Sequence, residues 1–180
     1  MRQIYSNFYI DTFINLDKSI ENELNDLITN KIEYVINLTE YEQLNVNHRI
    51  ALISNGIKSL DFFDDPELHR IKRIPPQSRS GEEISSRITI RARIIKERSE
   101  FLLNLSEMTG NILFICNRNN VLSPLFVCLM MHLQSCTASH IDSILRDKEV
   151  VTSAKYKADI KNYLDKYIDI IYNSINEVSK

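Results

Sequence analysis

The sequence predicts an α/β fold with three layers, in which helices cover both faces of a central sheet. Strand-like and helix-like segments alternate along the 180 residues. The segment Asn111–Cys116 (NILFIC) is continuously apolar, which is typical of a strand covered on both faces. No repeat, low-complexity segment or flexible linker divides the chain. We therefore expect a single domain over residues 1–180.

Short runs rich in β-branched and aromatic residues in the first part of the chain predict strands. These runs are Ile4–Ile10, Tyr34–Leu38 and Ile57–Phe63. Between the first two, Lys18–Ile28 places its apolar residues on one helical face, with Asp17 as an N-cap candidate. The last run ends at Asp64-Asp65-Pro66, where proline removes a backbone donor.

The middle of the chain predicts a loop followed by one long helix. Glu67–Gly81 is polar and basic and contains two adjacent prolines, so we expect a loop there. Glu82–Glu107 predicts a helix. The apolar residues available for its inner face are Ile84, Ile88, Ile95, Leu102 and Leu105. Ile50–Ile53 is apolar but fits either a strand or a helix.

Helices also dominate the prediction for the carboxyl-terminal third. Ser123-Pro124 combines an N-cap residue with a proline at the first helical position, and opens a helix over Leu125–Gln134. Thr137 and Ser139 begin a helix that runs to Asp147, and Ser153–Ile175 forms the last helix.

Composition excludes several classes of protein. The chain is 43% hydrophobic and 26% charged with a net charge of -2, which excludes wholesale disorder and a histone-like basic protein. The longest apolar run, near Leu122–Leu133, is far shorter than the ~20 residues that span a bilayer, so no membrane partner is expected.

The same composition indicates the compartment. Three cysteines, an odd number, favour a reducing compartment over a disulfide scaffold, and Met1–Asp11 lacks the features of a signal peptide. We expect a cytoplasmic or nuclear protein that is not secreted. The four histidines show no metal-ligand spacing, so neither a metal nor a cofactor is predicted.

One unit of the sequence carries chemical information: a buried strand, Cys116, a short polar loop, Ser123 and a helix. A residue at the carboxyl end of such a strand lies where ligands bind in α/β sheets. The amides of the loop and of the helix N-terminus suit an anion and would favour a thiolate. The alternative interpretation is that Cys116 is an ordinary core residue, because cysteine is among the most buried residue types.

This unit resembles the signature of the cysteine-dependent protein tyrosine phosphatases, H-C-x-x-G-x-x-R-S/T, and in particular that of the small dual-specificity phosphatases. Further segments are similar to that family in the same order: Ile32–Thr39, Gly56–Asp65, Leu129-Met130, and Ala138–Lys155 followed by Ile160–Tyr167. The resemblance implies a twisted, mostly parallel sheet of about five strands with helices on both faces.

The signature is incomplete where it matters for catalysis. Cys116 matches the nucleophile and Ser123 the hydroxyl, but Ile115 replaces the histidine and Leu122 the arginine. The resemblance assigns that arginine to gripping phosphate oxygens in a bidentate manner, which an alkyl group cannot do. The implied anion-binding loop consists of Asn117, Arg118, Asn119, Asn120 and Val121, with Asn119 in place of the central glycine.

The resemblance also assigns a general acid to Asp64 or Asp65, which would protonate the leaving oxygen. An Asp-Asp-Pro sequence at a strand end is equally consistent with ordinary turn chemistry.

A basic segment follows the general-acid position and predicts a surface for a partner. Its candidate contact residues are Arg70, Lys72, Arg73, Arg79, Arg87 and Arg91. Such a surface would attract a phosphoprotein or another acidic protein. RNA is a weaker alternative because stacking aromatics do not accompany the basic residues. The competing interpretation is a solvated helix face.

These features lead to three functional hypotheses. The first is a pseudophosphatase that acts by binding a phosphoprotein or protein partner. The second is an active protein or RNA 5′-phosphatase, in which Arg118 or the basic segment supplies the missing charge. The third is an interaction module that ignores phosphate. The abundance of Ile, Asn and Lys is typical of an AT-rich genome, and phosphatases of this type also occur in large DNA viruses, so a viral source is one interpretation.

Overall fold

A five-stranded sheet forms the centre of the computed structural model, which describes residues 1–12, 20–40, 43–116, 121–147, 150 and 154–178. Its strands are β1 (Arg2–Tyr5), β2 (Phe8–Thr12), β3 (Ile32–Asn37), β4 (Lys58–Asp61) and β5 (Asn111–Cys116). They lie in the order β1-β2-β5-β3-β4. Only the β1–β2 pair is antiparallel among these described strands. The predicted mostly parallel sheet is confirmed.

Helices cover both faces of this sheet. They are α1 (Ile20–Thr29), α2 (Val46–Ser54), α3 (Pro66–Arg73), α4 (Gly81–Glu97), α5 (Ser99–Ser106), α6 (Leu122–Leu133), α7 (Ala138–Arg146) and α8 (Ala154–Val178). Leu27 of α1 and Leu52 of α2 belong to a small core on one face. The later helices pack into a larger core on the other face. None of the helices in these described ranges is long and apolar enough to cross a membrane.

The strand β5 is buried on both faces, as its sequence predicts. Ile112, Phe114 and Cys116 face the large core, whereas Leu113 and Ile115 face the small one. This alternation follows from the two-residue period of a strand. β5 lies between β2 and β3, so each of its edges is paired. Helices cover each of its faces.

Two predictions for the middle of the chain are wrong. The predicted loop Glu67–Gly81 contains α3, because Asp65 caps that helix and Pro66 fits its first turn. The predicted helix Glu82–Glu107 is two helices, separated where Arg98 leaves helical geometry at φ -108°. The predicted inner-face residues Ile84 and Ile88 are 48% and 36% exposed, whereas Ile95, Leu102 and Leu105 are buried.

The start of α6 also differs from its prediction. The helix begins at Leu122, and Val121 occupies the N-cap position without a side-chain hydrogen bond. Ser123 therefore lies inside the first turn and does not cap the helix. By contrast, Thr137 caps α7, accepting a hydrogen bond from the His140 amide. The proposed N-cap Asp17 lies outside the described residues.

Phe126 of α6 lies at the centre of an aromatic cluster in the large core. Its ring packs edge-on against Phe62 at 5.0 Å and Phe63 at 5.9 Å between centroids. We expect Phe126→Ala to lower the free energy of unfolding by about 3–5 kcal/mol, because it leaves a cavity. Urea denaturation followed by circular dichroism measures this loss. Ile53→Ala, at a position 68% exposed, is the control and should change stability by less than about 0.5 kcal/mol.

Candidate functional site

Cys116 lies at the carboxyl end of β5, where three parallel strands finish. It is in register with Thr12 of β2, and the preceding residue Ile115 is in register with Asn37 of β3. The Leu38 amide donates to the Ile115 carbonyl at 2.8 Å, which continues the pairing beyond β3. Cys116 is 5% exposed. The structure thus places Cys116 at the sheet edge where ligands bind in α/β folds.

The first turn of α6 carries a buried hydroxyl next to this edge. Ser123 is fully buried, and its Oγ has no hydrogen-bond partner within the described residues. A buried hydroxyl without a partner is costly. The amides at the start of a helix also lack intrahelical partners and carry partial positive charge. Both kinds of group are hydrogen-bond donors that can bind an anion.

The two residues at the histidine and arginine positions of the phosphatase signature are both apolar and pack against the hydrophobic cores. Ile115 is fully buried in the small core, on the face opposite Cys116. Leu122 is half-buried and packs against the large core. Neither side chain can donate a hydrogen bond or supply charge to a ligand. Asn117, Arg118, Asn119 and Asn120 of the predicted loop lie outside the described residues, and Val121 is half-buried against the large core.

The two candidate general acids have different environments. The Asp65 carboxylate accepts hydrogen bonds from the Glu67 and Leu68 amides at 3.0 Å and pairs with Arg93 at 2.5 Å. It therefore performs the turn chemistry that was the alternative interpretation. Asp64 is exposed and accepts a hydrogen bond from the Gln43 side chain at 2.5 Å. Of the two carboxyls, Asp64 is the one that is not used to start a helix.

Sequence reasoning missed a polar network at the carboxyl ends of β3 and β4. The Asn37 amide donates to Asp61 Oδ1 at 2.7 Å, and its oxygen accepts from the Thr39 hydroxyl at 2.7 Å. Asp61 also pairs with Arg49 of α2 and accepts from the Leu44 amide at 3.3 Å. These residues are up to 24 positions apart in sequence, so local patterns carry no signal for the network. It fixes the strand ends beside Cys116.

A second missed feature is a buried charge cluster formed by Glu40, Arg87 and Arg91. Glu40 is 2% exposed, lies just after β3 and pairs with both arginines of α4, at 2.6 Å for Arg87. Burial alone would raise the pKa of the Glu40 carboxyl. The charges of Arg91 and Arg87 and their hydrogen bonds outweigh burial and lower this pKa to about 2. The cluster therefore ties the segment after β3 to α4.

These pairs change the interpretation of the basic segment. Arg91 is 7% exposed, so its prediction as a partner contact is wrong: its guanidinium neutralises Glu40 inside the protein. Arg87 is half-buried on the same carboxylate, and the half-buried Arg79 donates to the Ile71 carbonyl at 3.2 Å. Arg70 is exposed but pairs with Glu67 at 2.8 Å.

The contact candidate Arg73 is exposed, whereas the cysteine Cys128 is buried. Arg73 is exposed at the end of α3, and the side chain of Lys72 lies outside what the structure describes. Burial raises the pKa of the Cys128 thiol to about 12, so this thiol is an inert core group. Within the described ranges, no group of three or more His, Cys, Asp and Glu side chains could hold a metal ion.

Comparison with known proteins gives a match at the level of the fold. No protein-family model and no curated protein matches the sequence. Among solved structures, the core catalytic domain of the PP-IP phosphatase SIW14 from S. cerevisiae, in complex with citrate, is similar with a TM-score of 0.56 and 17% identity over 97% of this chain and 92% of that one. Tk-PTP in its active form aligns with a TM-score of 0.46 and 13% identity over 91% of this chain and 95% of that one.

The likeness to SIW14 shows that the chain has the fold of a phosphatase catalytic domain. The predicted dual-specificity phosphatase-like α/β fold is confirmed in this sense.

The depressed pKa of Glu40 predicts how stability depends on acid. Its ordinary value is 4.5 and its value in the folded protein is about 2. The carboxylate's contribution is complete above pH 4.5 and is lost as the pH falls through about 2. That contribution is about 3 kcal/mol, so stability should fall by this amount over the interval. Urea denaturation at a series of pH values measures it.

Glu40→Gln should flatten the dependence of stability on pH in that interval. It should also lower the free energy of unfolding by about 3–5 kcal/mol at neutral pH, because two arginines lose their counter-charge. Glu97→Gln is the matched control, since its carboxylate is 58% exposed and its removal should have little effect. An unchanged acid profile in Glu40→Gln would contradict the assignment.

Proposed function

We propose that this protein is a catalytically impaired phosphatase-like protein that binds a phosphorylated protein partner at the junction of β5 and α6. The observation that carries this proposal is Leu122. At the position of the signature arginine, the chain has an alkyl side chain that packs against the large core. The site retains donors for an anion but lacks the bidentate cation that stabilises the transition state.

Retained anion binding is supported by the first turn of α6. The Ser123 hydroxyl is buried without a partner among the described residues, and the helix amides around it favour negative charge. A phosphate oxygen at this position would accept from the hydroxyl and remove the cost of leaving it unpaired.

Loss of turnover is supported by what the neighbouring cations do. Arg87 and Arg91 are paired with Glu40, and Arg93 is paired with Asp65. Each is already neutralised by a carboxylate, so each is a poor substitute for the missing arginine. Losing one preorganised charge-stabilising group costs on the order of 10²–10³ in rate.

A protein partner is supported by the exposed cations of α3. Arg73 is exposed at the end of that helix, and Arg70 is 54% exposed although it pairs with Glu67 and Glu83. The helix begins directly after Asp64 and Asp65, at the same carboxyl edge of the sheet as Cys116. A phosphorylated or acidic protein surface would be attracted to this side of the molecule.

Hydrolysis assays test the catalytic part of the proposal. We expect the purified protein to release no more phosphate from a phosphotyrosine peptide than its Cys116→Ser variant does. Cys116-dependent turnover would overturn the proposal. If that turnover disappeared in Arg118→Ala, the alternative of an active phosphatase with relocated charge would replace it.

Restoring the signature arginine tests why activity is missing. We expect Leu122→Arg, alone or combined with Ile115→His, to raise kcat/KM for the peptide by on the order of 10²-fold or more. Leu122→Lys is the matched control, because lysine adds charge without the planar fork and should restore much less. Equal activities for the Arg and Lys variants would contradict a bidentate role at this position.

Replacing Ser123 separates binding from folding. We expect Ser123→Ala to leave the free energy of unfolding unchanged or slightly raised, since it removes a buried hydroxyl that has no partner in the described part of the chain. The same variant should weaken binding of inorganic phosphate, tungstate and phosphotyrosine on the order of tenfold. Isothermal titration calorimetry measures these affinities. Absence of binding in the wild-type protein would favour the phosphate-independent interaction module.

A further inference from the structure

A groove with mostly apolar walls and two cations lies between β3 and β4 on one side and the start of α5 on the other, near the outer edge of the sheet. We call it the β4-edge groove. Its volume is about 400 Å³, and its lining includes Tyr34, Ile36, Leu60, Phe101, Lys58 and Arg98. Volumes of this size are typical of small-molecule sites. The groove follows residues 58–60 of β4 and lies away from the carboxyl end of β5, so it is separate from the Cys116 site.

The two cations are held in position but retain free donors. The Lys58 ammonium donates to the Tyr34 hydroxyl at 2.9 Å and lies 5.0 Å from the centre of that ring. The Arg98 guanidinium stacks over Phe62 at 5.2 Å and donates one N–H to the Asp61 carbonyl at 3.2 Å. An ammonium has three N–H groups and a guanidinium five, so both cations can bind a further acceptor.

No described carboxylate forms an ion pair with either cation; Glu33 acts on Lys58 only as a minor electrostatic influence. This distinguishes Lys58 and Arg98 from Arg70, Arg87, Arg91 and Arg93, which are neutralised by carboxylates within the protein. The groove therefore combines apolar walls with two cations that no described carboxylate pairs, which is complementary to an apolar anion.

The backbone of β4 favours a compact ligand over an added strand. The Phe62 amide donates to the Asn37 carbonyl, so in this parallel ladder the backbone of Leu60 and Lys58 also faces β3. Within β4, only the backbone N–H and C=O groups of Ser59 and Asp61 face outward. The Asp61 carbonyl already accepts a hydrogen bond from Arg98. Too few groups remain for a peptide to pair along this edge.

We propose that the β4-edge groove binds a small aromatic carboxylate. Its ring would lie against the apolar walls formed by Tyr34, Leu60 and Phe101. Its carboxylate would be bound by Arg98, whose planar fork matches two oxygens, and by Lys58. This inference is independent of the proposed function at Cys116, because it uses different residues and a different edge of the sheet.

Titration with cinnamate tests the proposal, with the neutral cinnamamide as the matched ligand. We expect saturable binding of cinnamate by calorimetry, with amide chemical-shift changes in NMR spectra centred on β4 and the start of α5. Binding of cinnamamide should be at least roughly tenfold weaker, since it lacks the charge.

Variants locate the binding site. Lys58→Gln, at an exposed position, and Phe101→Ala should each weaken cinnamate binding roughly tenfold. Arg70→Gln, which changes an exposed cation outside the groove, and Cys116→Ser should leave it unchanged. Absence of saturable binding by the wild-type protein, unchanged affinity in Lys58→Gln, or loss of binding in Cys116→Ser would each overturn the proposal. The last result would place the anion at the Cys116 site instead.

Discussion

The burial of β5 on both faces is the constraint on which the rest of the structure depends. Its apolar side chains alternate between two cores, and its edges are paired with β2 and β3. A strand of this kind is stable only when helices cover both sides of the sheet. The burial of this six-residue strand therefore requires the three-layer architecture. It also sets the position of Cys116, which is the last residue of the strand.

Polar groups at the carboxyl edge of the sheet are the second organising feature. Asn37 and Asp61 join β3 to β4, and Glu40 joins the segment after β3 to α4 through Arg87 and Arg91. Buried polar and charged groups must be paired, because an unpaired one costs several kcal/mol, on the order of the effect of losing a large core side chain. Part of the basic segment is therefore structural, although its composition suggests a surface.

The sequence predicts the features that depend on local pattern. It predicts the bounds of β5 correctly because a six-residue apolar run between polar residues is typical of a strand buried on both faces. It misses α3, since the capping role of Asp65 and Pro66 is hidden by the polar composition that follows. It also misses the break at Arg98, where neither glycine nor proline marks a boundary. The Glu40–Arg91 pair spans 51 positions, and such contacts have no local signature.

The candidate site likewise has features that the local sequence predicts and features that depend on contacts between distant segments. The resemblance to the phosphatase signature predicts that Cys116, Leu122 and Ser123 decide the chemistry. It does not reveal that the Ser123 hydroxyl is buried without a partner among the described residues, or that Asp65 is used to start a helix. Both facts depend on how distant segments pack, and packing is decided by the whole core.

The placement of Cys116 and Ser123 in the core has a consequence for how new activities could arise on this scaffold. Cys116 and Ser123 flank the segment 117–122, and the hydrophobic core holds these two residues at 5% and 0% exposure. The core around these two residues supplies energy that maintains the fold, so exchange of residues between them is a route to altered recognition on the same fold. On a scaffold of this kind, recognition and turnover can diverge while the fold is retained.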